Sequence, residues 1–566
     1  MRRLVSALLA CTVSAGLLGG SAGCARAAES PFVGTWTITL LFPGQDLTGF
    51  LVDIKEVDGK LGGHVLSTGI PRLKKDAKVD GVRADGDASL QLTAAGGGLS
   101  FPIMVHPSKT DAKKLLGSTV FQGQRLLVRM EKSDLKELDP QKSVVNSPNA
   151  DKLNTAARKD GKDKLAALKE FLGTKNLEPA LQYLASLEFL GALASEGADK
   201  EEAAKLAGEV IKLAAEYGPV MKLTATQQAA QRLSDSEKLA PLAVDLARDA
   251  EKALDKNTPT DTQAAVLKTL RAALAKTGKG VEAKALAPKI AQLEDQLDQE
   301  FIKDAVPFKV EPAARRGKGE RVVLVELFTG AQCSPCVAAD VAFDALLKTY
   351  KASDVVFLQY HVHIPGPDPL TNEDSIKRSE YYNIPGTPAY YIDGDKGPQS
   401  GGAKGDGKEK YADLVKAIGD ALDIGAQGKI KLSAENKSGK IDIHAEVSDL
   451  SKTGDDIRLH LVLVEEVARY QGTNGQRLHH HVVRGFPGGL EGFALNEKTA
   501  KQNVRVTVAD VAKSLNDYLD GYKDHKFTED DRSLNLKHLK VVAFVQRKSS
   551  KEIFQAAEID IPAAGE

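Results

Sequence analysis

Cys333-Ser334-Pro335-Cys336 is the stretch of this 566-residue chain whose residue types and spacing can do chemistry. Two thiols this close can pass between dithiol and disulfide, one attacking a foreign disulfide and the other resolving the mixed intermediate. As a staple the pair would close a tiny loop and constrain little chain entropy. Zinc would need two further ligands, and no second Cys-x-x-Cys supplies them. An inert disulfide and a metal pair are the competing readings. The chain holds four cysteines, and the other two, Cys11 and Cys24, stand near its start. The reactive species is a thiolate. Cys333 precedes a helix expected over 336–350, whose free N–H groups favour an anion. Cys333 is therefore expected to be the more exposed sulfur and the nucleophile, with Cys336 resolving.

The elements that must position these sulfurs can be read from apolar runs. Val322-Val323-Leu324-Val325, continuing through Glu326-Leu327-Phe328, predicts a buried strand. After the 336–350 helix come a strand at 355–362, a helix at 373–382, a strand at 388–392 and a helix at 408–422. Strand, Cys-x-x-Cys and helix in this order resemble the thioredoxin-like fold. The resemblance implies that the Thr387-Pro388 bond is cis and lies against the sulfurs, Thr387 and Pro388 presenting a backbone edge to an extended peptide. It also implies that Glu326 stands for the buried acid that assists proton transfer to the resolving cysteine, although the family's acid lies one position closer to the motif. His361, at the end of the second strand, is expected beside the sulfurs on the substrate side.

The resemblance narrows further. Glu326-Leu327-Phe328-Thr329, His361, Asp368-Pro369, Arg378 and Tyr382 are similar to secreted bacterial thioredoxin-like proteins. His481-Val482-Val483-Arg484 and the strand Val541–Gln546 resemble the C-terminal region of outer-membrane-associated thioredoxin-like proteins. Together these cover roughly 320–562. Gln332 stands where thioredoxins carry Trp, which points to specialised rather than general exchange.

Around residues 320–424 the chain reads as a multidomain α+β protein. Short strand-like runs separated by Asp58-Gly59, Asp80-Gly81 and Asp85-Gly86 predict an antiparallel β barrel or sandwich over 31–133. Gly34-Thr35-Trp36 resembles the start of lipocalin-like barrels. Residues 134–159 read as a linker. Residues 160–304 have helical periodicity, and Leu193-Ala-x-x-Gly197 and Leu274-Ala-x-x-Gly278 suggest a TPR-like array of hairpins of about 40 residues. A plain helical bundle competes with that reading; an array would offer a surface to a protein partner. Residues 305–319, with Arg315-Arg316, read as a second linker. Residues 425–566 return to β, and the alternation in Arg458–Glu465 predicts a C-terminal β-sandwich with a helical insert at Ala509–Tyr522.

The 76 Lys and Arg against 77 Asp and Glu give a net charge of −1 and no electrostatic case for nucleic acid or an anionic membrane. Residues 1–27 read as a signal peptide, with Arg2-Arg3, the apolar Leu4–Leu18 and the cleavage pattern Ala25-Arg26-Ala27. Ala22-Gly23-Cys24 offers a lipid anchor at Cys24 as the alternative. No other segment approaches a membrane span. The pairs His361/His363 and His479/His481 alternate along strands without an acidic partner at ligand spacing, so they are read as structural rather than metal-binding. The expectation is an exported protein, periplasmic or extracellular. It would be a thiol–disulfide oxidoreductase acting on protein thiols and disulfides, its Cys333–Cys336 pair the redox group and no metal or other cofactor involved. The alternative is a non-catalytic cell-envelope interaction protein that uses a thioredoxin-like domain as a binding module.

Overall fold

The structure, a computed structural model, describes residues 30–563 except 122–123, 197–198, 235, 314–318, 523–524, 528–531 and 533. The segment read as a signal peptide, with Cys11 and Cys24, and Arg315-Arg316 lie outside the described residues.

Eight antiparallel strands open the described chain: β1 (Gly34–Phe42), β2 (Gln45–Val57), β3 (Lys60–Thr68), β4 (Lys78–Asp85), β5 (Ser89–Gly96), β6 (Leu99–Pro107), β7 (Lys114–Phe121) and β8 (Gln124–Lys132). Their order is β3-β2-β1-β8-β7-β6-β5-β4, with β3 and β4 side by side, so the sheet curls into an up-and-down barrel. Period-two alternation sends Trp36, Ile38 and Leu40 of β1 inward with Phe50, Val52, Phe101 and Val128. These side chains fill the interior. Trp36 is wholly buried, and its indole N–H donates to the Phe32 carbonyl at 2.9 Å.

The segment read as a linker over 134–159 is largely structured. Strand β9 (Val144–Asn146) pairs with β2, and helix α1 (Ala150–Ala157) buries Leu153 and Ala156. Two small apolar residues one turn apart suffice to dock a short helix, a signal hidden among the polar ones. Helices α2 (Gly161–Leu172), α3 (Pro179–Ser195), α4 (Lys200–Ala215), α5 (Pro219–Leu233), α6 (Ala240–Lys252), α7 (Thr260–Lys276), α8 (Gly280–Ala285) and α9 (Ala287–Ala305) follow. Each packs on the next, and α3, α5, α7 and α9 also touch in series. Pro179 and Pro219 open α3 and α5, and Pro259 caps α7, at intervals of about 40 residues. Leu41 and Leu127 of the barrel join the helical core, so the two units share an apolar junction.

The disulfide-bearing region and the C-terminal region are joined by one sheet. It contains β10 (Val323–Thr329), β11 (Val355–His361), β12 (Ala389–Ile392), β13 (Asp395–Lys396), β16 (Gly454–Arg469), β17 (Leu478–Gly485), β18 (Phe493–Leu495), β20 (Leu539–Arg547) and β21 (Ile553–Asp560). Its path is β13-β12-β10-β11-β17-β16-β20-β21, with β18 on β16. Residues 425–566 are therefore not a separate sandwich. Their large layer continues the sheet that starts at β10, through a parallel contact of Gln359 with Val482. The small layer, β14 (Lys429–Lys437), β15 (Lys440–Ser448) and β19 (Ala500–Thr507), covers Leu459, Leu461 and Leu463 together with helix α13 (Val508–Gly521).

Helices α10 (Val337–Thr349) and α12 (Gly407–Leu422) pack on the face of β10 and β11 that presents Val323, Val325, Leu327, Val355 and Phe357. Leu324, Phe328, Val356, Leu358 and Tyr360 face the other way, toward helix α11 (Glu373–Tyr381) and Tyr382. Among the described residues no helix is long and apolar enough to cross a membrane.

Candidate functional site

Strand β10 ends at Thr329. A turn over 330–332 delivers Cys333, whose N–H donates to the Gly330 carbonyl, and one 3-10 turn brings Cys336 to the N-cap of α10. Cys333 and Cys336 form a disulfide. The Thr387 hydroxyl donates to Cys333 Sγ at 3.3 Å, and the Thr387 carbonyl oxygen lies 3.7 Å from the same sulfur. The Thr387–Pro388 peptide is cis. Gly401 packs between Pro388 and the Pro335 carbonyl. Cys333, Cys336, Thr387 and Pro388 are thus brought together.

Both cysteines are buried, so the expected difference in exposure between them is slight. Cys333 is 1% and Cys336 0% exposed, while Ser334 and Pro335 between them face solvent. Thr387 closes one side of the motif, and two loops, 397–407 and 470–477, seat on the turns before and after Cys333.

Below the motif runs a hydrogen-bonded chain of buried polar groups. Asp368 accepts from the Ala331 N–H at 2.7 Å and pairs with His361 Nδ1 at 2.8 Å. His361 Nε2 lies 3.3 Å from Gln359 Oε1; Gln359 Nε2 donates to Asp340 Oδ1 at 3.4 Å, and the Thr329 hydroxyl donates to the same oxygen at 2.9 Å. His361 is wholly buried and engaged at both nitrogens, so it supports the turn from within and is not placed to touch a substrate. Burial pushes the Asp368 carboxyl up, but the His361 charge and the Ala331 and Leu370 amides outweigh it and hold its pKa low.

Asp340 is the group that sequence reasoning missed. Cys336, Asp340 and Asp344 recur every fourth position, so they share one face of α10. That recurrence of acids in an otherwise apolar helix was the available signal. Burial pushes the Asp340 pKa well above the ordinary range; the Thr329 hydrogen bond opposes this, and Asp344 and Asp368 add to it. Among the described residues its buried Oδ2 has no hydrogen-bond partner. Burial therefore favours the neutral form of this carboxyl, which lies one helical turn from Cys336.

Two neighbouring histidines of β17 have acidic partners in space. His480 Nδ1 pairs with Asp344 at 2.7 Å and His481 with Glu558 at 3.4 Å. His479 packs edge-on against His361, with ring centroids 4.7 Å apart.

Glu326 does not join the sulfurs. Even-numbered residues of β10 face α11, the side of the sheet away from α10, and a one-residue offset from the family's position is enough to reverse the face. Its oxygens accept from Arg378 at 2.9 and 3.0 Å, from Tyr360 at 3.0 Å and from Tyr382 at 2.6 Å. Glu326 is the anion of a closed, buried ion pair.

No family model matches the chain, and no curated protein matches it. Among solved structures it is similar to HBP35 of Porphyromonas gingivalis, at 16% identity and a TM-score of 0.31, over 44% of this chain and 78% of that one. It is also similar to the Pseudomonas fluorescens alkylpurine DNA glycosylase AlkC bound to DNA containing an abasic site analog, at 10% identity and a TM-score of 0.14, over 73% and 92%. At these scores neither likeness carries an argument about this chain.

Proposed function

We propose that this chain is a thiol–disulfide exchange protein, built on a thioredoxin-like unit and acting on protein thiols and disulfides. One arrangement carries the reading: a disulfide at the start of α10, Thr387 against Cys333, and the buried carboxyl of Asp340, its pKa raised, on the Cys336 face of the same helix. In the reduced protein the Cys333 thiolate attacks a partner disulfide. A bond forms to one partner sulfur, and the other leaves with the electron pair and takes up a proton. Cys336, as thiolate, then attacks Cys333 Sγ; the mixed disulfide breaks and the second partner thiol is released. The helix start favours the thiolates. Asp340 donates a proton to Cys336 when the internal disulfide opens and takes it back when the disulfide forms. The forty-residue helical hairpins offer a surface on which a protein partner could be selected.

Burial of both sulfurs favours a second reading, a non-catalytic cell-envelope binding module with an inert disulfide. Cys336→Ser and Cys333→Ser, incubated with a peptide disulfide, separate the two. Exchange predicts that Cys336→Ser accumulates a mixed disulfide on Cys333 and that Cys333→Ser does not; identical behaviour supports the inert module. Asp340→Asn is expected to slow exchange by about tenfold or more. It should also gain stability over wild type as pH rises above about 4, because the wild type keeps a raised carboxyl neutral only at increasing cost.

A further inference from the structure

The two loops that seat on the turns flanking the disulfide are also where the N-terminal units dock. Loop 470–477, between β16 and β17, lies along Gly330–Gln332, the turn that leads into Cys333. Asn474 donates from its backbone N–H to the Ala331 carbonyl at 3.2 Å and from its side chain to the Gly330 carbonyl at 3.2 Å. Gln332 is held between the Tyr470 hydroxyl at 3.2 Å and the Thr473 N–H at 3.0 Å. Gly472 approaches so closely that a Cβ there would stand 2.1 Å from the Ala331 oxygen.

The same loop is gripped from outside by helix α9. Arg477 donates to Asp298 at 2.5 Å and pairs with Glu294; Arg469 pairs with Asp298 and, at 3.1 Å, with Asp295. Arg477, Glu294 and Asp298 are all buried, which is unusual for ion pairs linking two units of a chain. Loop 397–407 closes the far side. The Gly402 N–H donates to the Pro335 carbonyl at 2.8 Å, and the Gly402 carbonyl accepts from Ala338 at 3.2 Å. This loop too is held by the N-terminal units: Gly405 lies on Gly98 of the barrel, Asp406 accepts from Arg72 at 3.3 Å, and Lys404 pairs with Asp304 at the end of α9.

We infer that the barrel and helix α9 act as a clamp that holds both loops over the Cys333–Cys336 disulfide, so that the sulfurs become reachable only when the clamp lets go. The buried grip of α9 on loop 470–477 is the stronger half; the pairs on loop 397–407 are partly exposed and weaker. The inference stands apart from catalysis, since it concerns access to a bond whether or not that bond is used.

The test is the rate at which a small water-soluble phosphine reduces the disulfide of the full chain under native conditions, read by labelling the new thiols. Asp298→Asn and Arg477→Gln should accelerate reduction by about tenfold or more, because each breaks the buried Arg477–Asp298 pair that ties α9 to the loop. Gly472→Ala should accelerate it as well, by wedging the loop off Ala331 while leaving every ion pair in place. Arg469→Ala, at a half-exposed position, should do so by less. Global unfolding of each variant, followed by far-UV circular dichroism, provides the control. Equal rates in all proteins, or accelerations that merely track loss of global stability, would overturn the clamp. Exchange activity does not enter the readout, so a chemically inert disulfide would leave this result interpretable.

Discussion

In the N-terminal barrel the buried polar side chains are hydroxyls, those of Thr39, Ser89, Ser118 and Thr119. In the sheet that carries Cys333 and Cys336 and in the helices on it they include Arg321, Glu326, Asp340, His361, Asp368, Arg378, Glu465 and Arg484. Both regions are closely packed, but they depend on different things. A hydroxyl-bearing apolar core is stabilised by filled volume and tolerates change in proportion to the volume lost. A core laced with ions gains little net stability over an apolar one, yet it loses much when a single partner goes. The barrel is held by filled volume, and the ionic sheet by charged groups fixed against particular partners.

The largest expected effect breaks that comparison at its strongest point. Arg378→Met would leave Glu326 buried with only hydroxyl donors, at a cost of about 3–5 kcal/mol. Pairing it with Glu326→Gln should recover a large part of the loss, because the uncompensated charge disappears. Urea denaturation followed by far-UV circular dichroism measures both. A single-variant loss no greater than that of an apolar truncation would mean that the ion pair is not confined as described.

A smaller effect sharpens the other side. Ile38→Val in the barrel should cost about 1 kcal/mol. The cost should be the same at pH 5 and pH 8, since none of the buried polar groups around it titrates in that interval. Trp36 is the only tryptophan of the chain and is wholly buried in the barrel, so its fluorescence reports this unfolding selectively. A pH-dependent stability of the Trp36-monitored transition itself would show that the barrel and the ionic sheet unfold as one unit.

What the sequence revealed follows the same division. Apolar runs and the Cys-x-x-Cys spacing expose β10, α10 and the two sulfurs, because local periodicity and short separations are what a chain displays directly. Period-two alternation with Asp-Gly turns likewise exposes the barrel. The single Gln359–Val482 contact that fuses the two sheets joins residues far apart in the chain and leaves no local trace. The face on which Glu326 lies hangs on one residue of register. The burial of Cys333 depends on Thr387, 54 positions away, and on the packing around its turn, and the loops 397–407 and 470–477 that seat on the flanking residues are polar and glycine-bearing, with no periodicity to announce where they dock. Asp340 was legible in principle, through its fourfold spacing from Cys336, but a residue type in a helix does not disclose that one of its oxygens is left without a partner.

The smallest expected effect lies in two adjacent histidines of the ionic region that depend on pH in opposite directions. Burial, with His361 close by, pushes the pKa of His479 down to about 3 from 6.5. The unfolded chain therefore binds that proton first, and the stability carried by neutral His479 is present above pH 6.5 and is lost progressively as pH falls toward 3. For His480 burial lowers the pKa, but Asp344 more than offsets it and the net shift is upward. Its contribution is full below pH 6.5 and is lost as pH rises through the folded value. The two windows meet without overlapping, so the pair contributes most near pH 6.5. His479→Gln should narrow its stability gap to wild type by about 1 kcal/mol between pH 6.5 and 5.5, and His480→Gln should do so by less between pH 6.5 and 7.5. Comparing each variant with wild type at matched pH removes the many carboxylates that titrate in the background. If both variants narrowed the gap on the same side of pH 6.5, the pairing of His480 with Asp344 could not be as drawn. The ionic sheet would then lack the side-by-side opposition that distinguishes it from the barrel.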